Sequence, residues 1–154
     1  MGELAAISLF SGAGGLDAGV EAAGFSVRAA LEYDRDSALS LRANFPGAAV
    51  LERDIEDVST KDILAAAGLG RGDTTLLVGG PPCTPFSKSG NWLEYKRTGQ
   101  DGNARLLDHY LRVLTEIRPR AFLMENVFGL AYRLPVDAPG TRYQRGRFGH
   151  VVGR

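Results

Sequence analysis

Apolar and polar positions alternate along this chain in short blocks, each closed by glycine, proline or an acid. Ala5-Ala6-Ile7-Ser8-Leu9-Phe10 is a nearly continuous apolar run of strand length. Such runs, bounded by turn residues, fit strands buried on both faces of a parallel sheet. Ser11-Gly12-Ala13-Gly14-Gly15 then turns the chain into a helix whose Leu16, Val20 and Ala23 share one face, and Gly24 stops it. A second strand is predicted from Phe25 to Glu32, and a second helix from about Asp36 to Asn44 with Ala38, Leu39 and Leu41 inward, ended by Pro46-Gly47. Ala48 to Leu51 reads as a third strand. Ser59 with Asp62 has the spacing of a capping box for a third helix, stopped near Gly68. A fourth strand starts at Leu76, and a long polar loop runs from Ser87 to Asn103. A fourth helix follows through Leu106, Leu107, Tyr110, Leu111 and Leu114, then a fifth strand over Ala121 to Met124. Strands alternating with helices predict an α/β fold, a doubly wound and mainly parallel sheet.

In such sheets ligands bind at the carboxyl ends of the strands, so those ends are where chemistry is sought. The fourth strand runs into Gly79-Gly80-Pro81-Pro82-Cys83-Thr84-Pro85-Phe86-Ser87, and Cys83 is the one cysteine of the chain. Pro82 and Pro85 fix φ on either side of that thiol. Taken alone, the stretch fits an incidental, buried cysteine as well as a presented nucleophile. A single Cys excludes an internal disulfide and suits a reducing, cytoplasmic setting.

The first turn resembles a dinucleotide loop without matching it. Gly12 and Gly14 let backbone approach a ligand, and Glu32 lies 20 residues after Gly12, where an acid binds ribose hydroxyls. Asp17 stands where the third glycine belongs. An acid in the first helical turn suits the helix dipole but repels a pyrophosphate. The pocket therefore suits a nucleoside without phosphates, and S-adenosylmethionine, carrying a sulfonium, meets that condition. A glycine turn needed only for packing is the plain alternative. Tyr33 could stack on an adenine, and Asp54 could accept from its exocyclic amine. Singly, each is an ordinary strand-end residue. Glu125, closing the fifth strand beside the fourth, is alone more often a helix-capping or solvated acid; paired with Cys83 it is expected to be a buried carboxylate with a raised pKa, able to donate to a ring nitrogen.

Bulk properties set limits on these readings. With 154 residues, 44% apolar and 23% charged, the chain suits one globular domain rather than a disordered segment. Zero formal net charge argues against a globally basic nucleic-acid binder. Beyond Gly129, however, five arginines face one acid, Asp137. No apolar run is long enough to span a membrane.

Three motifs now stand in order: Phe10-Ser11-Gly12-Ala13-Gly14-Gly15, Gly79-Gly80-Pro81-Pro82-Cys83 with Pro85-Phe86-Ser87, and Glu125-Asn126-Val127, supported by Glu32-Tyr33 and Asp54-Ile55. Over residues 5 to 130 the chain resembles the DNA (cytosine-5)-methyltransferases. The resemblance implies a Rossmann-like, S-adenosylmethionine-dependent methyltransferase sheet with its C-terminal strands missing. Residues 1–130 would form the cofactor-binding and catalytic domain, 131–154 a basic tail, and a target-recognition domain would be absent. It implies methyl transfer to C5 of cytosine in DNA through a covalent Cys83 adduct on a flipped base, Glu125 binding the ring and Pro82 and Asn126 shaping the Cys83 loop. Phe10, Gly12, Gly14, Glu32, Tyr33, Asp54 and Ile55 would hold S-adenosylmethionine, and no metal is expected. Thr84 departs from the family's usual Gln, and Gln144-Arg145-Gly146-Arg147 only loosely resembles its arginine element. A complementing polypeptide carrying the C-terminal half is therefore expected. An inactive remnant that only binds cofactor or a partner, and an enzyme acting on tRNA, remain open.

Overall fold

A computed structural model of the protein describes residues 3–82, 102–127, 132–133 and 144–145. The chain divides into two compact units, Met1–Pro81 with Leu106–Glu125, and Pro82–Arg105 with Asn126–Arg154. The first unit carries the parallel sheet. Its strands are β1 (Ala5–Leu9), β2 (Ser26–Glu32), β3 (Ala49–Glu52), β4 (Leu76–Gly79) and β5 (Ala121–Met124). The helices α1 (Gly15–Ala22), α2 (Arg35–Asn44), α3 (Thr60–Ala67) and α4 (Gly102–Ile117) connect them, with a short 3-10 turn at Ile55–Asp57. The strand order is β3-β2-β1-β4-β5 and every pair is parallel. Succession reverses direction between β1 and β4, and that switch point is where an open α/β sheet leaves a crevice. In the second unit, β6 (Tyr132–Arg133) and β7 (Gln144–Arg145) pair antiparallel.

The alternation of side chains across β1 explains why it is apolar throughout. Ile7 and Leu9 join Leu31, Leu77, Ile63, Tyr110, Val113 and Ile117 in one core cluster. Ala6 joins Val20, Val27, Leu76 and Val78 in another. A strand covered on both faces has no polar side to show, and all five residues of β1 are buried. Gly79 pairs with Leu9 in the ladder. A Cβ there would lie 2.4 Å from the Leu9 carbonyl oxygen and 3.1 Å from Tyr110 Cε2, so only glycine fits the position.

The helix ends follow their sequence signals. Ser59 and Asp62 form the reciprocal capping box, and Gly68 closes α3 at φ +65°. Gly24, at φ +89°, follows α1. Two side chains expected inward are not. Leu39 is 51% exposed, because α2 turns Ala38, Leu41 and Phe45 to the sheet and the next residue after Ala38 falls off that face. Ala23 is the exposed C-cap of α1, and the inward positions of that helix are Asp17 and Val20. Among the described residues no helix is long and apolar enough to cross a membrane.

Candidate active site at the carboxyl ends of the strands

Phe10 leaves β1 with φ +54°, a left-handed conformation uncommon for a bulky residue. Gly14 sits at φ +93° as the N-cap of α1. A Cβ on it would lie 2.3 Å from Phe45 Cε2, so the turn is pressed against the end of α2 and tolerates no side chain there. Glu32 closes β2 and is buried to 8% exposure. Its Oε2 accepts the Gly12 N–H at 2.8 Å and its Oε1 accepts the Asp34 N–H at 2.9 Å. The carboxylate thus ties the glycine turn to the start of α2. Each of its oxygens keeps a second lone pair able to accept a ribose hydroxyl. Next to it, Tyr33 is 75% exposed and leaves its aromatic ring open to solvent. Asp34 caps α2 by accepting the Ser37 N–H at 2.9 Å. That backbone bond, helped by the Ser37 hydroxyl, holds its carboxyl below the usual range.

The end of β3 is built differently. Asp54 is exposed and caps the 3-10 turn, its Oδ1 accepting the Glu56 N–H at 3.0 Å. Ile55 turns its side chain into the core at 3% exposure, so toward a ligand it offers only backbone.

The ends of β4 and β5 meet through a bond that extends their ladder: the Glu125 N–H donates to the Gly79 carbonyl at 3.0 Å. A Cβ on Gly80 would lie 3.1 Å from Glu125 Oε2, which places the carboxylate over that glycine. Glu125 is exposed, and this corrects the expectation of a buried carboxylate. The reason is position, since it follows the last paired residue of β5 and projects beyond the sheet's packed layers. Pro82 is half-buried. Cys83, the expected nucleophile, lies outside the described residues. Asn126 Oδ1 accepts the Val127 N–H at 2.9 Å.

Sequence reasoning placed Asp17 in the first turn of α1 but missed its burial. It is 0% exposed, and neither carboxylate oxygen has a hydrogen-bond partner. Burial pushes its carboxyl up. The Ser8 hydroxyl and the backbone N–H of Asp17 itself offset part of that rise from beyond hydrogen-bond geometry. The signal was present in the sequence, because Asp17 stands three residues before the inward Val20 and so on the same helix face.

Comparison with known proteins agrees with this geometry. A family model for the C-5 cytosine-specific DNA methylases matches residues 4–133. The chain is 48% identical over 143 residues to the Type II methyltransferase M.SacI of Streptomyces achromogenes, covering 85% of this chain and 37% of that protein. It is 46% identical over 125 residues to M.AquIA of Picosynechococcus, covering 80% and 48%. The chain thus spans less than half the length of these relatives. Among solved structures, a DNA modification methyltransferase encoded within an E. coli prophage superposes with a TM-score of 0.68 at 32% identity, over 83% of this chain and 33% of that one. The S. pombe Dnmt2 methyltransferase shares the fold at a TM-score of 0.59 and 23% identity, over 83% and 36%. A glycine turn tied to a strand-end acid, and a second acid beside the strand leading to Pro-Pro-Cys, sit on a sheet that this family shares. The chain belongs to the C-5 cytosine-specific DNA methylase family, whose methyl donor is S-adenosylmethionine.

Proposed function

We propose that this chain is the cofactor-binding and catalytic part of a DNA cytosine-5 methyltransferase, residues 1–130 forming that part. The observation that carries the reading is the position of Glu125, its carboxylate over Gly80 and its amide bonded to Gly79, on the strand that leads into Pro81-Pro82-Cys83. An acid closing β5 and a cysteine that follows Gly79 of β4 by four residues in the sequence suit attack on a pyrimidine ring.

The residues present fit S-adenosylmethionine. Glu32 has lone pairs left for ribose hydroxyls, Tyr33 offers an open aromatic face, and Asp54 stands exposed at the third strand end. The acid buried beneath the glycine turn makes that turn a poor seat for phosphates. When bound, S-adenosylmethionine supplies an electrophilic methyl group on a cationic sulfur. Phe10, Gly12 and Gly14 would line the turn beneath it, with Ile55 contributing backbone.

On the substrate side, the cytosine is taken out of the stack, because its reacting face is covered in the duplex. The Cys83 thiolate forms a bond to C6, and electron density moves to C5, making it nucleophilic. Glu125 hydrogen-bonds N3 and the exocyclic amine, stabilising the charge that gathers on the ring. S-adenosylmethionine, when bound, would supply the methyl group to C5 and be left as the uncharged thioether. Loss of the C5 proton then restores the ring double bond and expels Cys83. Pro82 and Asn126 shape the segment that carries the thiol. The DNA reader and the remaining pocket walls are proposed to come from a C-terminal half like that by which the relatives exceed this chain.

Trapping on DNA that contains 5-fluorocytosine tests this directly, because fluorine cannot leave as the proton does. With S-adenosylmethionine and the complementing half present, a covalent protein–DNA adduct is expected, absent from Cys83→Ser. A wild-type chain that forms no adduct under these conditions would sink the reading.

A further inference from the structure

We propose that Arg112 is a positioning residue for the adenine side of the cofactor pocket, fixing from α4 the turn that carries Asp54. Its Nη2 donates to two backbone carbonyls, Ile55 at 3.1 Å and Val58 at 3.2 Å. Its Nη1 donates to the Thr60 hydroxyl at 3.3 Å and lies 3.8 Å from Glu116 Oε2. The Thr60 hydroxyl in turn donates to Glu116, so the guanidinium is held from both sides. The two carbonyls bracket the 3-10 turn that begins immediately after Asp54. Asp54 is bound into the same turn through the Glu56 N–H.

These contacts are long-range, joining positions 52 to 57 residues apart. Nothing local in the 54–60 segment replaces them. A 3-10 turn leaves its last carbonyls without partners, and here a planar fork with several fixed donors meets two of them together. Lysine, a point charge on a flexible stem, cannot hold both carbonyls in one geometry. Arg53 adds a bond to the Asp57 carbonyl at 2.6 Å, but from an exposed side chain of the same loop. Arg112 ties the loop to a separate helix, one whose Tyr110, Val113 and Ile117 are fully buried, and it is the side chain there that holds two backbone carbonyls of the turn, beside a looser His109–Glu56 contact at 4.0 Å. The position of the Asp54 carboxylate relative to the strand ends is thereby set by α4 together with the Arg53 N–H bond to the Glu32 carbonyl at 3.1 Å.

This proposal rests on the reading that Asp54 accepts from the exocyclic amine of adenine. The test compares binding of S-adenosylhomocysteine and S-inosylhomocysteine by calorimetry. The inosine ligand presents a carbonyl oxygen where adenine has its amine. A site that hydrogen-bonds one group discriminates strongly against its replacement, so the wild-type chain is expected to favour the adenosine ligand by about 10-fold or more. Arg112→Met and Arg112→Lys should bring that ratio to within about 3-fold, with affinity for the inosine ligand changing little. A merely structural brace would lower affinity for both ligands together and leave the ratio alone. If Arg112→Met does not fold, Arg112→Lys carries the comparison, since it keeps the alkyl stem and the charge. Asp54→Asn separates the two ideas. If it leaves the ratio intact, the adenine reading fails and the proposal falls with it. If it collapses the ratio while both Arg112 variants preserve it, the adenine reading stands and the positioning role is overturned.

Discussion

Two buried acids in the first unit have opposite circumstances, and the difference decides what each does. Both Glu32 oxygens accept backbone N–H groups, which is the state in which a carboxylate can be buried cheaply. Glu32→Gln keeps the shape but turns one oxygen into an N–H donor facing another donor. We expect a loss of about 1 to 3 kcal/mol of stability, read by thermal or urea unfolding, and S-adenosylhomocysteine affinity down by about 10-fold because the Gly12 turn is released. Unchanged stability would mean that the Glu32 bonds contribute nothing to the turn. Neither Asp17 carboxylate oxygen has a hydrogen-bond partner. Its carboxyl is raised by burial, so between its ordinary pKa and the raised one the folded chain holds a proton that the unfolded chain has released. Stability from this group is therefore complete below the ordinary value and falls as pH rises through the raised one. Asp17→Asn removes that dependence. At pH 7 to 8 it should stabilise the chain by about 1 to 3 kcal/mol, while at pH near 3.8 and below the difference should shrink toward zero. Melting curves across that range check the sign, and an asparagine variant less stable at pH 8 would contradict it.

At the scale of elements, the sequence was most legible where local chemistry and packing agree. The strand at Leu76–Gly79, the capping box at Ser59–Asp62 and the glycine stops at Gly24 and Gly68 are all local signals, and the structure shows them in place. Helix faces were less legible, since Leu39 and Ala23 were assigned by apolarity alone. A ten-residue helix on a sheet buries only a narrow stripe, and which residues fill it is fixed by neighbours such as Phe45 that lie beyond the helix. The same limit hid the burial of Asp17, because a charged residue is by default read as exposed. Glu125 failed in the other direction. Its place after β5 was evident, but exposure depends on what covers the strand end. The role of Arg112 was unreadable, since apart from Glu116 one turn on, its partners lie at least 52 residues away. Gly79 shows how close packing reads as plain composition until the strands are laid side by side. Gly79→Ala drives a methyl into the Leu9 carbonyl, and backbone in the centre of a sheet cannot withdraw. We expect a loss of more than about 3 kcal/mol, at the upper end for overpacking, measured by urea unfolding. Ordinary stability in that variant would show that β1 and β4 can separate.

For the sheet as a whole, the two outer strands are guarded unequally. β3 is short, ends in Glu52, and that acid pairs with Arg42 at 2.7 Å, so charge stands at its edge. β5 pairs only with β4 among the described residues, and it carries Phe122 at 41% and Leu123 at 47% exposure. Successive side chains of a strand point to opposite faces, so both faces of β5 are partly bare, and among the described residues its outer ladder has no partner strand. Bare apolar side chains beside unpaired backbone groups form a template for another strand. On the chain as given, we expect concentration-dependent self-association through β5, seen as early elution and increased light scattering. Phe122→Lys with Leu123→Lys should shift the chain toward the monomer, because two charges on the edge oppose strand addition. The cost in folding stability should stay within about 1 kcal/mol, as neither side chain is fully buried in the parent. The same double variant should weaken pairing with a complementing C-terminal half, while leaving S-adenosylhomocysteine binding at the far strand ends within about 2-fold, since the altered positions lie apart from Glu32 and Asp54 in the strand order. Association that persists unchanged in the double variant would place the sticky surface elsewhere and remove β5 as the seat of the second half.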